Sequence, residues 1–137
     1  MARAERLPPS AAALVQIGHV AERTGLSLRT IRWYEEEGLV VPTARTEGGF
    51  RLYSDDDVAR LMVVKRMKPL GFTLEEMREL LTLLAHLDTG TGDRATSLDR
   101  LQMFHEAANS RVAALKEQLA IAEGFADTLA GHLDARR

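Results

Sequence analysis

The sequence predicts a mainly α protein, a winged helix-turn-helix domain followed by one long C-terminal helix. Three observations point there. Short apolar stripes at helical spacing are cut by Gly25 and Gly38. β-branched and aromatic residues cluster on both sides of Gly48-Gly49. Beyond residue 97, apolar side chains recur in alternating steps of 4 and 3.

The elements follow in order. Residues 1–14 contain Pro8 and Pro9 and are read as a flexible segment ahead of a domain over residues 15–84. Ile17, Val20 and Ala21 form an i, i+3, i+4 stripe, which predicts a helix over Ile17–Thr24 stopped by Gly25. Ser27 is a strong N-cap for a second helix reaching about Glu37, and Gly38 ends it. Ile31 and Tyr34, three apart, should face the first helix. Two short helices joined by a tight glycine-containing link make a helix-turn-helix.

Residues 39–41 and 50–53 read as the strands of a small hairpin. Ser54-Asp55-Asp56-Asp57 is a capping box opening a third helix, with Val58, Leu61, Met62 and Met67 inward. Pro69 should end it by forcing Lys68 out of the helical region. Thr73-Leu74-Glu75-Glu76 is a second capping box, opening a helix that carries Leu74, Met77, Leu80, Leu81 and Leu84. Residues 85–97, with the polar run DTGTGD, read as a loop.

Residues 98–133 then read as one helix, with 134–137 as a tail. Ala108, Val112, Leu115, Leu119, Ala122, Ala126, Leu129 and Leu133 form a heptad seam, and Leu98, Leu101 and Phe104 extend the stripe upstream. A straight helix of about 36 residues spans about 54 Å. So small a domain cannot cover that seam, which predicts a homodimer through Val112, Leu115, Leu119, Ala122, Ala126 and Leu129.

Composition narrows the chemistry. The chain has 137 residues, 45% of them apolar and 28% charged, and no cysteine. That removes disulfides, thiolate metal ligands and a cysteine nucleophile. No apolar run is long enough to span a membrane, and AAALV is too short for the core of a signal peptide. A cytoplasmic protein is expected. The net charge of −2 hides an asymmetry. Residues 1–72 hold 11 Lys+Arg against 9 Asp+Glu, and residues 73–137 hold 7 against 11. A nucleic-acid binder of this composition must gather its positive charge on one face.

IGHVAERTGLSLRTIRWYEEEGLVVPTARTEGGFRLYSDDDVARL followed by GFTLEEMRELL resembles the DNA-binding domain of the mercury-resistance regulator (MerR) family, over about residues 15–84. TGLS, RTIRWYE, R…GGFRLYS and GFTLEE together are far more specific than any one of them. The terminal helix resembles the family's antiparallel dimerisation coil. The resemblance implies a homodimer on bacterial, nucleoid-associated DNA, its recognition helices in successive major grooves of a pseudo-palindromic promoter. It also implies wing contacts to phosphate, bent and untwisted DNA, and action with RNA polymerase.

By this resemblance Ser27, Arg29, Thr30, Arg32, Trp33 and Tyr34 are DNA-binding positions on or at the start of the second helix, and Arg45, Arg51 and Tyr53 are wing and post-wing positions. Trp33 stands where the family usually has Tyr, and Phe50 replaces the Tyr of its GYR motif, so a hydroxyl donor is lost there. Arginine suits bidentate contact with guanine or phosphate. Lys65 and Arg66 read equally as surface charge or as phosphate contacts. Glu35, Glu36 and Glu37 read mostly as a solvated face, with room for one intramolecular pair to an arginine.

No catalytic constellation is present, and the four histidines, His19, His86, His105 and His132, lack metal-ligand spacing. Neither an enzyme nor a cofactor is expected. Any signal is not a thiolate-bound metal. A small-molecule effector would sit near helix four, the 88–96 loop and the coil, with Met103, Phe104 and Phe125 as candidate apolar wall. The other options are control by abundance alone, as in a ligand-independent repressor, or a short form lacking its sensor. The rival functions are a structural DNA-organising protein on the same scaffold and a pure interaction coil.

Overall fold

The computed structural model describes residues 14–137, so the N-terminal segment expected over 1–14 lies outside the described residues apart from Leu14. The chain divides into two compact units between Leu81 and Thr82. In the first, β1 (Val15–Gln16) leads into α1 (Ile17–Thr24) and α2 (Leu28–Glu36). β2 (Ala44–Arg45) and β3 (Arg51–Tyr53) follow, then α3 (Asp55–Met67) and a 3-10 turn over Lys68–Leu70. α4 (Leu74–Thr89) runs on into the second unit, which α5 (Arg94–Ala135) completes.

Local chemistry sets the helix ends. Gly25 takes φ 75° and donates its N–H to the Ala21 carbonyl at 2.9 Å, the left-handed stop expected there. The Ser27 hydroxyl oxygen accepts the Thr30 N–H at 3.1 Å, capping α2. Ser54 and Asp57 exchange backbone-to-side-chain bonds of 2.9 and 3.1 Å, the capping box of α3. Thr73 and Glu76 do the same for α4 at 2.8 and 3.1 Å.

Three local expectations are corrected. Residues 39–41 form no strand. The N–H groups of Leu39 and Val40 close the end of α2 by bonding the Tyr34 carbonyl at 2.9 and 3.4 Å, and Pro42 has no N–H to pair. The hairpin instead pairs β2 with β3, Ala44 opposite Leu52 and Arg45 opposite Arg51. β1 adds a third antiparallel strand, Val15 opposite Tyr53, giving the order β1-β3-β2. Second, Lys68 keeps helical angles (φ −58°, ψ −51°) ahead of Pro69. The chain tightens into a 3-10 turn, which Gly71 ends at φ 86°. Third, Val64 is a core residue of α3 whereas Met62 is half-buried.

The core of the first unit is built on Val20, Ile31, Tyr34, Val40, Tyr53, Leu61 and Val64, each at most 1% exposed. Ile31 and Tyr34 are thus the inward face of α2, as their spacing predicts. In the second unit Leu83, Ser97 and Phe104 are buried. α5 starts at Arg94, so the break between helices is only residues 90–93 rather than 85–97, and the helix runs past residue 133 to Ala135. Its 42 residues extend about 63 Å. Its seam lies open, with Val112 at 41%, Leu119 at 57% and Leu133 at 56% exposure. Among the described residues no helix is long and apolar enough to cross a membrane.

Candidate nucleic-acid interface

With Ile31 and Tyr34 turned inward, helical periodicity turns Arg29, Arg32 and Trp33 outward. Ser27 is exposed at the helix start, where the free N–H groups and the positive end of the dipole favour an anion. Thr30, half-buried, donates its N–H to Ser27 and shares a 2.9 Å hydroxyl contact with it. Arg29, Thr30, Arg32, Trp33, Glu36 and Lys68 line an open hollow of about 530 Å³. Three cations and an indole therefore surround one concave surface, a combination suited to a phosphate backbone and base edges. The Trp33 ring is 40% exposed and leans on Tyr34, centroids 5.2 Å apart and planes at 53°.

Lys68 is not among the cations at the end of α3 that the sequence singles out, which are Lys65 and Arg66. Lys65 turns out to cap α1, donating from Nζ to the Thr24 carbonyl. Lys68 reaches the hollow because the 3-10 turn holds it beside α2. The only signal for it was a third cation one residue before a proline.

The wing is a tight hairpin. The Thr46 N–H donates to the Phe50 carbonyl at 2.9 Å, the Thr46 hydroxyl oxygen accepts the Phe50 N–H at 3.0 Å, and Gly49 turns at φ 88°. Phe50 stands 64% exposed at its tip. Arg45 donates from Nη1 to the Gly49 carbonyl at 3.0 Å and from Nη2 to Glu35 Oε2. Arg51 donates from Nε to Glu35 Oε1. Glu35 is thus no part of a solvated face. Its side chain is 17% exposed and pairs with two arginines where one pair is expected. The hydrogen bond to Glu35 pushes the Arg51 guanidinium further above its already high range, so it stays charged.

The structure places Tyr34 and Tyr53, two of the expected DNA-binding positions, in the core beneath the surface. They are 1% and 0% exposed, because Tyr34 packs inward and β3 carries Tyr53 back from the wing to pair with Val15. The Tyr53 hydroxyl is buried without a hydrogen-bond partner. Burial raises the pKa of both phenols, and the nearby charge of Glu35 adds to the shift at Tyr53.

The candidate effector wall is not assembled within one chain. Phe104 is buried beneath the Arg100 guanidinium, 5.2 Å above its ring, whereas Met103 and Phe125 are exposed. Positions 103 and 125 lie about 33 Å apart along one helix. Among the described residues no three His, Asp or Glu side chains form a group able to hold a metal ion.

Known proteins resemble this chain in sequence and fold. Residues 15–84 match the profile of the MerR HTH family regulatory proteins, and residues 58–131 match that of the MerR DNA-binding region. The chain is 35% identical over 124 residues to the HTH-type transcriptional regulator YfmP of Bacillus subtilis, covering 85% of this chain and 89% of that one. It is 34% identical over 110 residues to the regulator CueR of Yersinia pestis, covering 80% and 79%. Among solved structures, HiNmlR, a MerR family regulator lacking the sensor domain and bound to promoter DNA, superposes with a TM-score of 0.63 at 25% identity, covering 80% of this chain and 85% of that one. A MerR family regulator from Bacillus thuringiensis shares the fold at a TM-score of 0.67 and 20% identity, covering 85% and 97%. The family is non-enzymatic, and this chain belongs to it: it is a MerR-family DNA-binding transcription regulator.

Proposed function

We propose that the protein is a homodimeric, sequence-specific regulator that binds a pseudo-palindromic promoter site and distorts it to control transcription by RNA polymerase. The observation that carries this reading is the hollow on α2, where Arg29, Arg32 and Lys68 gather around Trp33. α2 enters the major groove by its Ser27 end, so that Arg29 and Arg32 meet base edges or the flanking phosphates. Lys68 neutralises a phosphate at the edge of the same face. The exposed seam of α5 supports pairing with a second copy of the chain. Two copies would present two recognition helices to one duplex, which is what a pseudo-palindrome requires. The similarity to a regulator crystallised on promoter DNA supports the same reading. The protein acts in the cytoplasm, on the nucleoid.

The domain boundaries fit this division of labour, with residues 15–84 reading DNA and the long helix pairing the copies. A signal, if the protein takes one, is not a metal held by thiolates, because the chain has no cysteine. An antiparallel pair centred on the midpoint of α5 would bring position 104 of one copy opposite position 125 of the other, so a small-molecule site built on Phe104 and Phe125 belongs to the dimer. The test is Arg32→Ala in a gel shift on duplexes selected by the wild-type protein. Loss of specific binding with an unchanged circular dichroism spectrum supports the reading, and normal binding overturns it.

A further inference from the structure

The two wing arginines are not free cations in this structure. Each oxygen of one carboxylate, on the last turn of α2, takes a different arginine: Oε2 that of β2 and Oε1 that of β3. Glu35 reaches 10 and 16 residues along the chain to do so, and it is mostly buried while it does. Arg45 carries the link onward, since its other nitrogen holds the Gly49 carbonyl in the hairpin turn. A continuous chain of hydrogen bonds therefore runs from the recognition helix through both strands to the wing tip.

This arrangement has an electrostatic cost for a DNA binder. An acid close to the groove repels phosphate, and it neutralises charge that could attract it. Two simple outcomes of losing such an acid are tighter binding, if it merely opposes DNA, or no change, if the pairs are incidental surface contacts. A shared carboxylate differs from an isolated pair, because one already ordered side chain fixes two partners and little further entropy is lost.

We propose that Glu35 is a positioning residue for sequence recognition: by holding Arg45 and Arg51 at once, it fixes the wing relative to α2, so that one duplex geometry satisfies helix and wing together. The proposal rests on the DNA-reading function above and deepens it. Arg45 and Arg51 then act first as rivets of the wing, and their phosphate contacts are made from positions Glu35 sets. Loss of Glu35 releases two flexible cations, which still attract any duplex but no longer at a fixed distance from Arg29 and Arg32. Affinity for random DNA is kept or rises, while affinity for the selected site falls.

The test begins by selecting duplexes from a random library with the wild-type protein. Binding of the best duplex and of a random one is then measured for wild type, Glu35→Gln, the pair Arg45→Gln with Arg51→Gln, and all three together. Circular dichroism and thermal midpoints check folding. Glu35→Gln is expected to lose at least tenfold on the selected duplex and less than twofold on the random one. Adding it to the two arginine changes should alter binding less than twofold, because its partners are already gone. Should Glu35→Gln fail to fold, Glu35→Asp, one methylene too short to reach both guanidiniums, replaces it with the same expected losses. Equal or tighter binding of the selected duplex by the Glu35 variant overturns the proposal. So does an undiminished loss in the arginine-free background. A wild-type protein that selects no duplex sinks the DNA-reading function itself, which separates the two failures.

Discussion

The Asp57 carboxylate, 1% exposed at the start of α3, accepts the backbone N–H of Thr43 at 3.0 Å, tying the chain entering the wing to the helix that follows it. The same oxygen takes the Thr43 hydroxyl at 2.5 Å and the Ser54 N–H at 2.9 Å, while the other takes Arg60 at 2.7 Å. Removing it orphans several buried donors at once. Asp57→Ala should lower unfolding stability by about 2–3 kcal/mol, in the range for lost charge-assisted bonds. Urea unfolding checks this, and a change below about 0.5 kcal/mol, the size of an ordinary surface substitution, would contradict it.

Lys68 and Arg32 should fail differently. Lys68→Ala removes a phosphate partner, so binding should weaken about equally on every duplex and the salt slope should fall by about 1. Arg32→Ala should cost about 1–3 kcal/mol and relax preference at particular base pairs. Titrations at several salt concentrations, on matched and mutated duplexes, distinguish them. A uniform loss on every duplex for both variants would mean that neither side chain reads a base.

The Tyr53 hydroxyl is buried without a partner, so Tyr53→Phe should leave stability unchanged or raise it by up to about 1–2 kcal/mol, the desolvation cost of such a group. Thermal unfolding measures this. A clear loss would mean that the hydroxyl has a partner in solution.

Both tyrosines have raised pKa values, chiefly because burial penalises the phenolate. A folded-state pKa above the unfolded value of about 10 contributes stability that is complete below that value and lost as pH rises through the folded one. Stability should therefore hold through neutral and mildly alkaline pH with respect to these groups and fall above about pH 10. Tyrosinate absorbance should rise together with loss of helical circular dichroism. Tyrosinate signal appearing at full helicity would place the phenols in contact with solvent.

The seam of α5 should decide the oligomeric state. Leu115→Glu with Leu119→Glu puts charges on a stripe now 51% and 57% exposed, harmless in a monomer and costly in a coil. Sedimentation should show a dimer for wild type and a monomer for the variant, with helical content in residues 15–84 retained. A monomeric wild type would remove the dimer from the account.

Much of the fold was legible because its signals are local. Ser27, Ser54 and Thr73 announce their helices within three residues, and Gly25 closes α1 by its own φ. The exposed face of α2 followed from the spacing of Ile31 and Tyr34. What was not legible depends on partners far along the chain. Leu39 and Val40 look like a strand by composition, but their N–H groups are claimed by Tyr34. Glu35 looks like one of three solvated acids until β2 and β3 return to it. Tyr53 reads as a wing residue, and its burial follows from pairing with Val15, in a strand of only two residues with no periodicity to detect. The position of Lys68 depends on how the chain accommodates Pro69, which propensity alone misjudged.

If the proposed function holds, α2 of a paired molecule reads a specific duplex and distorts it. Genome-wide binding of a tagged protein, with footprints on the strongest sites, tests it most directly. The expected result is a small number of pseudo-palindromes lying within promoters, with altered cleavage at the centre of each footprint where the duplex is bent and untwisted. Broad occupancy with little dependence on sequence would contradict it and would make the protein an organiser of DNA rather than a reader of promoters.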